Sequence, residues 1–158
     1  MATGPVISIR DEDGNPINSW AIGTLTAQTD PKPSIDIYIW NNYAGTTAVS
    51  DLKDAYITVV DENGNVDSTQ AVVSDTWVKA CLVDISGEEA TAIGGNTTKT
   101  LNTTSSSIES GIIKGTANTG TLINSTDNFV HVQLTIEPTM NATPGRQKFY
   151  LRINGSFT

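Results

Sequence analysis

The side chains that most often carry out chemistry are scarce in this sequence. His131 and Cys81 are its single histidine and its single cysteine among 158 residues. A thiolate nucleophile needs a neighbouring base and a third group that orients this base. Cys81 lies inside the apolar run of residues 77–85, where we expect a buried, reduced thiol. We expect His131 on the more polar face of its strand, together with Gln133. We therefore predict no catalytic residue and no enzymatic activity.

Paired carboxylates are a second chemistry to consider, because two acidic residues from distant segments can hydrolyse a glycosidic bond. The acidic residues of this chain cluster mainly in turns, as solvated surface residues do: Asp11, Glu12, Asp13, Asp61, Glu62, Glu88 and Glu89. A hydrolase built on such a pair stays open as an alternative to a protein without catalysis.

A metal site is the third chemistry, and one segment has the spacing for it. Oxygen-bearing side chains occupy alternate positions at Asp61, Asn63, Asn65 and Asp67, as in a calcium loop. The EF-hand pattern requires Gly at its sixth position and Glu at its twelfth, where this chain has Val66 and Val72. The Asn-Gly pair between two apolar runs is typical of a hairpin turn. We favour the turn and predict no metal and no cofactor.

The aromatic side chains are the best candidates for a binding surface, either for a protein interface or for a glycan: Trp20, Tyr38, Trp40 and Tyr43. Tyr38 and Trp40 alternate with isoleucines, so we expect them on the outer face of a sheet, where they can stack on sugar rings or anchor a partner. The alternative is that Trp40 or Trp77 is a core residue, as one tryptophan often is in a two-layer fold.

Strands must position these side chains. Ile35, Ile37 and Ile39 recur at every second residue, which places them on one buried face. The 16 Ile, 11 Val and 23 Thr far outnumber the 7 Leu, and branching at Cβ favours strands over helices. We predict strands at residues 6–10, 17–25, 34–42, 54–61, 66–73, 76–85, 128–137 and 147–153, a further element at 111–116, and at most a brief helix at 50–55. Eight or nine closely spaced strands indicate an all-β fold, an antiparallel β-sandwich of the Ig-like or jelly-roll kind.

One turn sequence occurs twice. Residues 11–15 read Asp-Glu-Asp-Gly-Asn, residues 61–65 read Asp-Glu-Asn-Gly-Asn, and each follows an apolar run. We interpret them as the same hairpin turn used in two places. Residues 94–110 are rich in Ser and Thr, and we expect a flexible loop or an exposed ribbon there within a single domain that spans residues 1–158.

Charge and hydropathy exclude several partners. A net charge of −8 is unsuited to nucleic acid, whose phosphates require a basic patch. No run approaches the roughly 20 apolar residues that cross a bilayer, so we predict no membrane partner. We also see no basic segment followed by an apolar stretch at the N-terminus, so we predict no signal peptide and synthesis in the cytoplasm.

Several segments resemble known bacterial and viral proteins. Ile-Asp-Ile-Tyr-Ile-Trp-Asn-Asn at 35–42 and Ala-Tyr-Ile-Thr-Val-Val-Asp at 55–61 resemble the paired strands of bacterial immunoglobulin-like modules. Asn-Ala-Thr-Pro-Gly-Arg-Gln-Lys-Phe-Tyr-Leu-Arg-Ile at 141–153 resembles their closing strand. Together with residues 92–99 and 113–118, the stretch 35–153 is similar to small Ig-like β-sandwich virion proteins of tailed bacteriophages.

The resemblance implies a non-enzymatic structural protein of the virion, made in the host cytoplasm, that decorates or cements the capsid surface. It implies a major capsid protein or a tail protein as partner, and a homo-oligomeric state. The alternatives are a tail or baseplate accessory, or a carbohydrate-binding module that uses Trp20, Trp40 and Tyr43 to stack on a surface glycan.

Overall fold

The computed structural model describes residues 3–25, 32–104, 111–140, 142 and 145–158. The strands in these ranges are β1 (Ile7–Arg10), β2 (Ser34–Asn41), β3 (Lys53–Asp61), β4 (Val78–Leu82), β5 (Thr91–Ile93), β6 (Lys99–Thr100), β7 (Phe129–Ile136) and β8 (Phe149–Ser156), with one short helix, α1 (Ala71–Ser74). Among the described residues no helix is long and apolar enough to cross a membrane.

The strands form two antiparallel sheets. One has five strands in the order β1-β2-β7-β4-β5, and the other has three in the order β6-β3-β8. The predicted all-β antiparallel sandwich is therefore confirmed. Its assignment to the Ig-like or jelly-roll subclass stays a prediction.

The core lies between the two sheets and follows the two-residue period of the sequence. Ile37 and Ile39 of β2 and Val132 of β7 point inward from the five-stranded sheet. They meet Ile57 and Val59 of β3, and all five side chains are at most 1% exposed. The predicted isoleucine face is thus correct, and a single cluster of apolar residues joins both sheets.

Two predicted strands do not form, and the predicted element at 111–116 is reduced to an isolated bridge at Ile113. Residues 66–73 form no strand; the chain turns into α1, which buries Val72 and Val73 against the core. A short apolar run fits a helix turn as well as a strand, so periodicity alone did not separate them. Residues 17–25 also form no strand, although Ile17 and Trp20 pack against the core.

The predicted brief helix at 50–55 is wrong as well. Leu52 forms an isolated bridge with Ile113, and β3 begins at Lys53. Asp54 has a φ of 52°, and the register with β8 shifts between Lys53 and Tyr56, which marks a β-bulge.

The Ser/Thr-rich segment pairs with the three-stranded sheet over part of its length, while residues 96–98, Thr100 and Thr104 are exposed. Lys99 and Thr100 form β6 against β3, and Leu101 is fully buried. Asn102 and Thr103 are buried too. Residues 105–110 lie outside the described residues, so the prediction of flexibility is not tested there.

The repeated turn sequence forms the same structure twice. The Asp11 carboxylate accepts hydrogen bonds from the backbone N–H of Asp13 (2.9 Å) and of Asn15 (2.8 Å). The Asp61 carboxylate accepts the equivalent two from Asn63 and Asn65, both at 2.9 Å. Such Asx geometry is what Asp contributes at the start of a turn. The shared turn is confirmed, but only the first one leads the chain back to its own strand, through the bridge between residues 10 and 16.

Candidate functional site

His131 is surrounded by carboxylates and an aromatic ring. Its Nε2 lies 3.3 Å from an oxygen of Asp36, and its Nδ1 lies 3.7 Å from an oxygen of Asp84. The imidazole stacks on the Tyr38 ring at a centroid distance of 4.2 Å. Burial raises the pKa of the Tyr38 hydroxyl, and the negative charges of Glu12, Asp84 and Asp36 raise it further. These contacts fix the imidazole in place.

Cys81 shares a sheet face with His131 without bonding to it. In the register of β4 and β7, Cys81 lies opposite Gln133. Its thiol contacts the carbonyl oxygen of Glu88 at 3.8 Å. Cys81 is half-buried, so the expectation of a fully buried thiol is wrong. Its side chain points to the outer face of the sheet, where a loop covers it only in part.

Asp61, the first of the side chains that suggested calcium, is engaged in turn formation. The hydrogen bond from the backbone N–H of Asn65 lowers the pKa of Asp61 and outweighs the opposing effect of burial. Within the part of the chain that the structure describes, no three His, Cys, Asp or Glu side chains converge in a way that would hold a metal ion.

Tyr38 and Trp40 do not form an exposed aromatic face. Trp40 is 1% exposed and Tyr38 is 7% exposed, so the prediction that they stand on a solvent-facing surface is wrong. The Trp40 ring lies 4.8 Å from Phe129 and 4.9 Å from Tyr43, which packs edge-on against it. Together with Leu122, these rings form a second apolar cluster on the outside of the five-stranded sheet. The strand pattern did not reveal this cluster because loops supply its cover.

Asparagine side chains hold that cover in place. The Asn42 amide donates to the carbonyl oxygens of Thr47 and Gly115, both at 2.9 Å. The Asn118 amide in turn donates to the Asn42 carbonyl at 2.7 Å, and its own oxygen accepts from Ala44 N–H. The loop that carries Tyr43 is thereby tied to the segment that precedes β7. The Arg10 guanidinium lies 3.9 Å above the Tyr43 ring and covers its outer face.

Trp20 occupies a different place. It lies at the lateral edge of the sandwich, where its ring meets Phe149 at a centroid distance of 6.3 Å in an edge-on arrangement. Trp77 is a core residue at 6% exposure, as the alternative interpretation proposed. Trp20, Trp40 and Tyr43 are therefore not assembled into one platform for sugar stacking.

The groove beside Trp20 is the best candidate for a binding site. It has a volume of about 490 Å³ and lies between β1 and β2 of one sheet and β8 of the other. Ile9, Ile35 and Ile37 form one wall, and Phe149 and Leu151 form the other. The groove exists because the two sheets do not close on each other at this edge: β1 and β8 are the last strands of their sheets.

Residues 18–25, which we call the strap, border the groove, and residues 18–23 line it. Trp20, Ile22 and Leu25 of the strap pack partly buried against the core. The strap backbone makes no hydrogen bond with any residue that the structure describes; the last such bond before it joins Ile17 N–H to the Ile9 carbonyl. Among the described residues, the contacts that hold the strap in place are those of its apolar side chains.

The opposite edge of the sandwich is closed. Lys99 of β6 forms an ion pair with Glu88, whose side chain is 9% exposed, and the Lys99 ammonium donates to the Thr91 hydroxyl of β5 at 3.0 Å. These polar contacts join β5 to β6 across the gap between the sheets. The two lateral edges thus differ: one is sealed by a charge pair, and the other is an apolar groove.

Among the residues that the structure describes, Lys148 is the single charged one that lines the groove. Two further basic side chains, Arg146 and Arg152, are exposed on and beside β8. None of the three forms an ion pair with a residue in the described ranges. Tyr150, 49% exposed, lies under the Lys148 ammonium at 5.9 Å. This edge is therefore positively charged on a protein of net charge −8.

No protein-family model, curated protein or solved structure matches this chain. Of the four aromatic candidates, Tyr38, Trp40 and Tyr43 come together in a buried cluster, and Trp20 alone borders the groove. Sequence reasoning did not identify the groove because its walls come from residues more than 100 positions apart. The one signal was the absence of acidic residues after Glu137, where three of the nine basic residues lie.

Proposed function

We propose that this protein is a non-enzymatic structural component of a bacteriophage particle, and that it attaches to a capsid or tail protein through its exterior. The resemblance of residues 35–153 in sequence to small β-sandwich proteins of phage virions supports the assignment to a phage particle. The groove between β1 and β8 supports attachment and is the observation that carries the proposal. Soluble proteins normally cover apolar surface of this kind, and an open apolar site marks a place where another molecule binds.

Rigidity also supports a structural role. The five-stranded sheet is buried on both faces near Trp40, and the asparagine network fixes the loops at that end. A scaffold of this kind holds its binding edge in one geometry, which reduces the entropy lost on docking. Copies placed on a symmetric particle would bridge neighbouring subunits, and binding to the assembled state stabilises it by mass action.

The direct test is to look for the chain in particles. Phage particles from a culture that expresses the chain are banded on a density gradient and analysed by quantitative mass spectrometry. We expect the chain in a fixed molar ratio to the major capsid protein or to a tail protein. Recovery of the chain only in particle-free fractions would contradict the proposal.

A reconstitution distinguishes attachment from contamination. Purified chain is mixed with particles from a strain that lacks its gene, and the pellet is assayed after sedimentation. We expect saturable binding, and weaker binding for Lys148→Glu at the groove than for Lys79→Glu. Lys79 is the matched control, because it is an exposed lysine on β4, in the other sheet. Light scattering measures the molar mass of the free chain, which we expect to be that of a homo-oligomer.

A further inference from the structure

We propose that the edge of β8 and the adjoining groove bind an extended, acidic segment of a partner protein, which adds to the three-stranded sheet as a fourth strand. This proposal deepens the proposed function, since the partner is then a protein of the same particle. Strand addition uses backbone hydrogen bonds for affinity and side-chain pockets for selection. The β8 edge supplies the backbone hydrogen-bonding groups, and the groove supplies the side-chain pocket.

The edge of β8 is available for such pairing. β8 has eight residues and is therefore about 26 Å long, and it pairs with β3 alone in the described sheet. An edge strand directs half of its backbone N–H and C=O groups away from its neighbour. Proteins usually protect edges with proline, exposed charges, inward-pointing charges or short strands, and of these β8 has only the exposed Arg152. β8 has no proline, and its inward residues are Phe149, Leu151 and Ile153.

The groove accepts the side chains of an added strand. It runs along the inner face of β8, past Phe149 and Leu151, and it ends at the isoleucines of β1 and β2. Side chains of an added strand alternate between the two faces of the sheet, so every second one would enter this apolar space. The strap is held there by side-chain packing without backbone hydrogen bonds, so an incoming strand can displace Trp20 without breaking a ladder.

Charge selects the occupant. Residues 138–158 contain three basic residues and no acidic one; Arg152 lies on β8, and Lys148 immediately precedes this strand. An acidic segment would neutralise these side chains, which lack ion-pair partners among the described residues. Pairing of β8 with β8 of a second copy would instead bring like charges together across the new ladder, which is unfavourable. The geometry thus points to a different protein and not to a second copy.

A synthetic peptide tests the proposal on the purified chain. The probe is a fluorescein-labelled peptide in which three valines alternate with threonines between Asp-Glu ends. Fluorescence anisotropy measures its binding, and a peptide with Lys-Lys ends is the charge control. We expect saturable binding of the acidic peptide, at least tenfold tighter than that of the basic one, and weaker at higher salt.

Variants of the chain locate the site. We expect the double substitution Lys148→Glu and Arg152→Glu to weaken binding of the acidic peptide by at least tenfold. Lys79→Glu is expected to change it less than twofold. All three residues are exposed, so the variants should fold, and circular dichroism with urea titration verifies this. Equal binding of both peptides, or equal loss from Lys79→Glu, would overturn the assigned site.

N-methylation of the probe identifies strand addition as such. Two versions carry methyl groups on alternate residues, one version for each edge of the peptide. A strand that pairs through one edge loses binding in one version and retains it in the other. If both versions bind as well as the parent peptide, or if the parent shows no binding at 1 mM, the strand-addition proposal is refuted.

The peptide assay and the particle assay fail separately. If the chain is present in particles but does not bind the peptides, the proposed function stands and the assigned binding surface is refuted. If the chain binds the acidic peptide but is absent from particles, the binding surface stands and the proposed function is refuted. A dimer that dissociates when the acidic peptide is added would show that a second copy occupies β8, against the proposal.

Discussion

Replacement of Trp40 by alanine tests whether this residue is part of the structure or part of a binding surface. Its indole is 1% exposed and contacts two rings with centroids within 5 Å. Removal of a buried Phe or Trp side chain costs about 3–5 kcal/mol, because both transfer free energy and packing are lost. A domain of this kind has only about 5–15 kcal/mol of unfolding free energy in total.

The effect is measured by urea unfolding, with thermal unfolding as a second method. At about 2–4 °C per kcal/mol for a chain of this size, Trp40→Ala should lower Tm by about 6–20 °C. The matched control is Trp20→Ala. Trp20 is only half-buried over the groove, so its removal should cost about 1 kcal/mol.

The two variants should also separate in binding. We expect Trp20→Ala to change the Kd of the chain for the acidic peptide, because Trp20 borders the groove. Folded Trp40→Ala protein should bind as the parent does. If Trp40→Ala left the unfolding free energy unchanged but abolished binding to a glycan array, Trp40 would be a ligand contact and the buried placement of its ring would be refuted.

Three further predictions concern the turns and the loops. Gly14 and Gly64 have similar positive φ angles, 86° and 79°, so alanine is strained at both positions. A Cβ at Gly14 would also collide with the Tyr43 hydroxyl, whereas a Cβ at Gly64 meets no atom within 4 Å. In a urea titration, Gly14→Ala should therefore lower the unfolding free energy by about 1 kcal/mol more than Gly64→Ala. The N–H hydrogen bonds that lower the pKa of Asp61 stabilise the fold above about pH 4, and this contribution is lost as the pH falls through the folded pKa. Asp61→Asn keeps a hydrogen-bond acceptor but has no carboxylate to protonate. The unfolding free energy of this variant should therefore fall less steeply between pH 5 and pH 2 than that of the parent. Asn42→Ala removes both amide donors to buried loop carbonyls at a positive-φ position and should cost about 2–4 kcal/mol in the same titration, and a loss below about 1 kcal/mol would contradict the proposed role of the asparagine network.

The inner face of the sandwich was predictable because it depends on local spacing. Ile37 and Ile39 alternate with other residues, and an alternating strand has one way to bury that set. The twin turns were predictable for the same reason: an Asp two residues before an N–H and a Gly at the left-handed position act within five residues.

The outer face was not predictable from the same alternation. Asp36 is exposed and Trp40 is buried on one face of one strand, because only the end near Trp40 is covered by the loop that carries Tyr43. That cover depends on Asn42 and Asn118, which lie 76 residues apart. A sequence pattern reports the periodicity of a strand, and it does not report which loop folds over it.

The groove depends on even longer separations. Phe149 near the end of the chain faces Trp20 near its beginning, and neither neighbourhood indicates the other. The strap has apolar residues without a regular period, and such a segment does not distinguish an irregular strand from an unpaired one. It borders the groove beside β8, but its backbone forms no hydrogen bond with either sheet in the described ranges.

The two lateral edges differ in what a bound strand would displace. At β5 and β6, a partner would have to break the Lys99–Glu88 ion pair, and removal of a partner from a largely buried charge is costly. At β8, a partner displaces only the apolar contacts of the strap, and its own apolar side chains replace them. It also supplies hydrogen bonds to an edge that has none from the described residues beyond β3, and carboxylates to three basic side chains. Binding at β8 therefore gains contacts without a comparable loss, which favours this edge over the other as the place of attachment.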